Sequence, residues 1–84
     1  MKAVQIASVF NMWMVRFDIE WNRLGAKYTS WGVRKEVVDF EKELRLWLRD
    51  NINGDYWVFF ARSINQQVEF VSEDDALLCY MRFR

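Results

Sequence analysis

Residues 13–21, WMVRFDIEW, alternate with a period of two. Trp13, Val15, Phe17, Ile19 and Trp21 fall on one face, and Met14, Arg16, Asp18 and Glu20 on the other. Alternation over that length predicts a strand with one buried face. The preceding residues 3–10 fit either a short helix or an extension of the same strand. Residues 22–32, NRLGAKYTSWG, hold two of the three glycines and read as a connecting loop. From 33 to 51 the period lengthens. Val33, Val37, Phe40, Leu44, Trp47 and Leu48 recur at three- and four-residue steps, which predicts an amphipathic helix. Arg34, Lys35, Glu41, Lys42, Arg45 and Arg49 lie mostly off that stripe, with Glu41 and Arg45 spaced as a favourable i,i+4 pair. NINGD, residues 51–55, then ends the helix, since Asn and Gly tolerate the left-handed backbone that helix ends often use.

A second strand is predicted over 55–62, followed by SINQ (63–66) as a hairpin connection and QVEFV (67–71) as a third strand. Val68 and Phe70 share one face of that strand, and Gln67 and Glu69 the other. The remainder, SEDDALLCYMRFR, predicts a second helix. Ser72 stands three residues before Asp75, the capping-box spacing, and acidic side chains fill the first turn, where the helix dipole favours them. Ala76, Leu77, Tyr80 and Phe83 form its inward stripe, with Arg82 and Arg84 at the negative end. The elements follow in the order β-α-β-β-α. The expected fold is α+β, one domain over 1–84: a three-stranded sheet with both helices on one face, a truncated split-βαβ, ferredoxin-like layout.

Composition narrows the function classes. The chain has 84 residues, 52% apolar and 18% aromatic with five tryptophans, so it is a folded domain with a single core. Twelve basic and twelve acidic residues cancel. That balance argues against a general nucleic-acid binder, whose affinity rests on basic excess, and mildly favours self-association. Cys79 is the single cysteine, which excludes an intramolecular disulfide and suits a reducing interior; with no histidine in the chain it reads as a small buried hydrophobe. The apolar N-terminal run is too short to span a bilayer and lacks a cleavage site, so a cytoplasmic protein with no membrane contact is expected. There is no glycine-rich phosphate loop and no zinc-binding cysteine pair. Glu73, Asp74 and Asp75 are explained as a helix start, and Asp18 and Glu20 suggest no paired acid and base roles. No catalysis, cofactor or metal is expected.

Two resemblances bear on function. VEFVSEDDALL (68–78) resembles the third strand and second helix of an RNA-recognition motif, where V-x-F-x-S-x-x-D-A is a common phrase. In that family the RNA-stacking aromatics precede the V-x-F on the same strand; here those positions are Asn65 and Gln67. The closing VEFVSEDDALLCYMRFR is similar to the ends of small uncharacterised proteins from tailed phages. That likeness implies an accessory protein binding a host or phage component, in the host cytoplasm.

The run Tyr56, Trp57, Val58, Phe59, Phe60 lacks alternation and raises the question of what covers its second face. Arg62 and the tyrosine hydroxyl prefer a wet surface, which assigns Trp57, Phe59 and Ala61 to the core. Tyr56, Val58, Phe60 and Arg62 then lie on the open face with Met14, Arg16 and Glu69, rimmed also by Asp18 and Gln67. An apolar centre with a polar rim is the anatomy of a protein interface. The expected function is therefore a small non-enzymatic protein-binding module, with a protein partner or a second copy in a homodimer. The alternatives are a single-stranded nucleic-acid-binding domain, a homo-oligomeric structural component, or cover of that face by residues 1–11.

Overall fold

The computed structural model describes residues 1–18, 30–60 and 66–84, with the backbone alone over 30–34. Among these residues the chain forms β1 (Lys2–Val9), β2 (Met12–Asp18), α1 (Ser30–Asn51), β3 (Tyr56–Phe60), β4 (Gln66–Phe70) and α2 (Glu73–Phe83). The class is α+β, as the patterning predicts, but the sheet has four strands rather than three, all antiparallel to their neighbours in the order β1-β2-β4-β3.

The added strand is β1, formed by the segment that the pattern leaves ambiguous. Its pairing with β2 slips between Ala3 and Gln5, so Val4 is an extra residue in the ladder. A bulge of this kind shifts the phase of alternation within a strand. Ala3 is buried and Ile6 packs against the core three residues later, so the period-two signal is lost in the sequence. Phe10 and Asn11 form the two-residue turn between the paired Val9 and Met12.

The alternation of β2 places Val15 and Phe17 in the core with Trp13 packed against it, as predicted; Ile19 and Trp21 lie outside the described residues. α1 begins at Ser30, so the loop reading of 30–32 is corrected; residues 22–29 lie outside the described part. Phe40, Leu44 and Leu48 are buried, Val37 and Trp47 pack against them, and Arg45 pairs with Glu41 at 3.6 Å as the spacing predicts. The helix closes with Asn51 Nδ2 donating to the Trp47 carbonyl at 2.9 Å and the Ile52 amide donating to that of Leu48 at 2.9 Å. Its end does not use the left-handed backbone: among the described residues other than glycine only Phe10 has a positive φ. At Gly54 a Cβ would come within 2.8 Å of Asp75 Oδ2, so a larger residue there requires that carboxylate to shift.

α2 starts after Ser72, whose extended φ and ψ are those of an N-cap. Its side chain makes no capping hydrogen bond, which corrects the capping-box reading. Ala76, Cys79 and Phe83 are buried, with Tyr80 packed beside them. Leu77, expected inside, is exposed; Cys79 takes its place.

Both helices cover one face. Phe17 on β2 has ring centroids 5.4 Å from Phe40 on α1 and 6.0 Å from Phe83 on α2, while Phe40 and Phe83 meet edge to face at 5.4 Å. Phe60 on β3 completes the cluster, 5.6 Å from Phe17 and stacked on Phe40 at 5.9 Å. β2, α1 and β3 form a split β-α-β unit, because β4 lies between its two strands.

Candidate functional site: the open face of the sheet

With both helices on one side, the other side of the sheet has no helix against it among the described residues. The residues that point there follow from the pairing. β4 presents Gln67 and Glu69, since Val68 and Phe70 are fully buried on the core side. Glu69 pairs with Met14 on β2 and Trp57 on β3, and Gln67 pairs with Arg16 and Phe59. Residues paired directly across a sheet share a face. The open face therefore carries Trp57 and Phe59, 48% and 46% exposed, on the edge strand β3, with Gln67 and Glu69 of β4 beside them and Met14 and Arg16 of β2 beyond.

This reverses the face assigned to β3. Tyr56, Val58 and Phe60 are on the helix-covered side, where Val58 pairs with the buried Val68, Tyr56 lies 6.4 Å from the Phe70 ring, and Phe60 is held between Phe17 and Phe40. Met14, Arg16 and Glu69 are on the open face as expected. Arg62 and Ala61 lie outside the described residues. The reason for the reversal is register. A connection of residues 63–66 would pair odd positions of β3 with even positions of β4 and turn Phe59 inward. Among the described residues the pair nearest the connection is instead Phe60 with Gln66, so even meets even. A one-residue slip flips every side chain of a strand to the other face. Gln66 itself belongs to β4 and is buried on the core side rather than forming part of the hairpin.

Residues 1–11 do not fold across this surface, as one alternative supposes. They form the edge strand β1, hydrogen-bonded to β2 in the plane of the sheet. β1 extends the open face: Arg16 Nε donates to Gln5 Oε1 at 3.1 Å, and Ala7 pairs with Met14.

Trp57, Phe59 and Met14 present apolar surface, Arg16 and Glu69 carry opposite charges, and Gln5 and Gln67 supply amides. The Cys79 thiol lies in the core, and burial pushes it up from 9.0 to about 12, which keeps it protonated and unreactive at neutral pH. Among the described residues no three His, Cys, Asp or Glu gather closely enough to hold a metal ion. The described helices include none long and apolar enough to cross a membrane.

A cleft of about 370 Å³ opens elsewhere, between α1 and the end of α2. Glu36, Asp39 and Glu43 form one wall and Arg82 and Arg84 the other, with Met1, Phe40 and Phe83 beneath. The Met1 ammonium donates to Glu36 Oε1 at 3.2 Å, and Arg82 lies over the Phe83 ring at 5.0 Å. The first contact holds the chain start against α1, and Phe83 holds the end of α2 there by packing edge-on against Phe40 and Trp47.

Comparison with protein-family models, with curated proteins and with solved structures finds no match to this chain.

Proposed function

We propose that this chain is a non-enzymatic protein-binding module whose contact surface is the open face of the sheet. The observation that carries this reading is the pair of half-exposed aromatics, Trp57 and Phe59, side by side on β3 with Met14, Arg16 and Glu69 beyond them. Aromatics, Met and Arg are the side chains enriched at protein interfaces. The likeness of the closing phrase to the ends of small tailed-phage proteins supports a host or phage protein as partner, met in the cytoplasm.

Single-stranded nucleic acid would also stack on Trp57 and Phe59. Two features weigh against it. Glu69 pairs directly with Trp57, placing a carboxylate in the path of a phosphate backbone. Gln67, one of the two positions where an RNA-recognition motif carries an aromatic, is polar.

The test is affinity capture from the source lysate with wild type and Trp57→Lys side by side, and a titration with single-stranded oligonucleotides at two salt concentrations. A specific protein retained by wild type and lost by a folded Trp57→Lys is the expected result. Equal retention by both would overturn the assignment to this face. Tight oligonucleotide binding that weakens steeply with salt would replace it with the nucleic-acid reading.

A further inference from the structure

The sheet has two outer edges, and they are built differently. β1 carries the bulge at Val4, one of the devices that spoil a strand edge as a template for another chain. β3, at the other edge, carries none. Tyr56–Phe60 is regular in its pairing, uncharged, free of proline and glycine, and rich in aromatic residues. Among the described residues no strand or helix hydrogen-bonds to its outer side. Burial agrees. Val68 on β4 is 0% exposed, whereas Val58, paired with it on the same helix-covered face, is only partly buried, because a strand flanks it on one side alone.

Backbone direction specifies what the edge accepts. The Val71 amide donates to the Asp55 carbonyl at 3.3 Å, so Asp55 turns its carbonyl toward the β4 side. In an antiparallel ladder, residues whose N–H and C=O face the neighbour alternate with residues whose groups face away. Trp57 and Phe59 therefore bond to β4, and Tyr56, Val58 and Phe60 direct both groups out from the free edge. An extended backbone satisfies such a row, and antiparallel pairing with a second β3 does so throughout. With a two-fold axis at Val58, that residue pairs with its own copy and Tyr56 pairs with the other copy's Phe60, all in hydrogen-bonded positions. On the open face the same register sets each Trp57 against the other copy's Phe59. Those are the closely spaced, non-hydrogen-bonded positions, where cross-strand aromatic pairs are stabilising. No charge meets its like, because the strand has none.

We infer that the free edge of β3 is a homodimer interface, at which two copies pair β3 with β3 antiparallel about a two-fold axis at Val58 and join their sheets into one. An isologous contact of this kind closes at two copies. Backbone direction and burial carry this edge independently of the binding function proposed above, but the dimer also changes that surface. In one copy Trp57 and Phe59 lie at the margin of the open face; in the dimer both pairs meet at its centre, with Gln67 and Glu69 of each copy to either side. A strand of five residues is about 17 Å long, so the interface is small and the dimer strongly concentration-dependent.

Sedimentation equilibrium and amide exchange of the full chain, from micromolar concentration to about 1 mM, test the inference without any substitution. Wild type should pass from monomer to dimer. The amides of Tyr56, Val58 and Phe60 should exchange about tenfold more slowly once about nine-tenths of the chains are paired, while those of Trp57 and Phe59 are protected throughout. Register is read by cross-linking on the exposed face. Trp57→Cys and Phe59→Cys, each oxidised alone, should give little covalent dimer, since like positions on the two strands are offset by two residues. Mixed, they should cross-link to each other, because positions 57 and 59 of opposite copies sit about 4.5 Å apart between Cα atoms, close enough for a disulfide. A wild type that stays monomeric throughout, edge amides that stay unprotected in a dimer, or mixed cysteines that cross-link no better than either alone would each overturn it. Edge amides protected only on adding a captured protein would replace the second copy with that partner's strand. Capture through Trp57 by a chain that remains monomeric would sink the dimer and leave the open-face reading standing; a dimer that captures nothing would do the reverse.

Discussion

Adjacent phenylalanines in β3 do opposite work. Phe60 is clasped by Phe17 and Phe40, with centroids at 5.6 and 5.9 Å, whereas Phe59 is half-exposed on the open face. Phe60 is partly buried, and truncating it removes its packing on the core aromatics Phe17 and Phe40. Phe60→Ala should therefore cost about 2–3 kcal/mol in urea unfolding, below the range for a fully buried aromatic, while Phe59→Ala should cost under about 1 kcal/mol. Charge insertion sharpens the contrast: Phe59→Glu should keep the fold and Phe60→Glu should lose it, as read by circular dichroism. Cys79 supplies a second residue-scale prediction, in pH. Its folded-state thiol is raised from 9.0 to about 12 by burial, while the unfolded chain keeps the ordinary value. Below pH 9 both states hold the proton and the thiol contributes no pH dependence. Between pH 9 and about 12 the unfolded state has lost its proton and the folded state has not, so stability falls as pH rises. The slope contributed is at most about 1.4 kcal/mol per pH unit. The stability difference between wild type and Cys79→Ala should be flat from pH 6 to about 8.5 and shrink from pH 9 upward.

At the scale of elements, legibility followed the integrity of each periodic signal. β2 keeps strict alternation and α1 keeps a continuous stripe, and Val15, Phe17, Phe40, Leu44 and Leu48 are buried where the pattern puts them. β1 hid because the extra residue Val4 breaks its alternation. The facing of β3 was hidden because its register against β4 depends on the length of the connection between them, and no local signal in SINQ sets it. α2 misled through abundance: with apolar residues on two faces, periodicity cannot choose between Leu77 and Cys79. Met14, Arg16 and Glu69 were legible as open-face residues because their strands alternate; Trp57 and Phe59 were not, because every residue from Tyr56 to Phe60 is apolar or aromatic. Two element-scale outcomes follow. The β1–β2 turn carries Phe10 at φ 55 and 97% exposed. Positive φ at the first of its two residues alone is the pattern of a type II′ turn, where glycine is usual. Phe10→Gly should relieve that backbone strain and raise stability by up to about 1 kcal/mol in thermal or urea unfolding. Ser72→Ala should cost well below the ~1 kcal/mol of a typical N-cap, because the hydroxyl makes no capping bond.

For the molecule as a whole, sheet order matters more than chain order. β2, α1, β3, β4 and α2 run as β-α-β-β-α, and the place beside β2 at the sheet edge is taken by β1 from the other end of the chain. In the β-α-β-β-α-β arrangement that place is filled by a strand following the second helix. What the sheet requires is an antiparallel partner for β2 with Ala3 and Ile6 facing the core, and nothing in that requirement specifies which end of the chain supplies it. The covalent break is short as well, because Met1 and Arg84 line the same cleft. A circular permutant that begins at Asn11 and carries residues 1–10 after Arg84, joined by a short glycine-serine linker, should therefore fold to the same sheet. Three local changes set its stability. The strained turn at Phe10 is opened, which removes one cost. The Met1 ammonium becomes an amide, so its 3.2 Å contact with Glu36 loses its charge. The β1–β2 pairing becomes a long-range closure rather than a two-residue hairpin, and closure entropy grows only slowly with loop length. The net change should be within about 2 kcal/mol of wild type, with cooperative urea unfolding and the amide-exchange protection of β1 retained. If β1 amides exchange freely in a permutant whose remaining strands are protected, β1 depends on its hairpin, and the four-stranded sheet is not the unit that the core specifies.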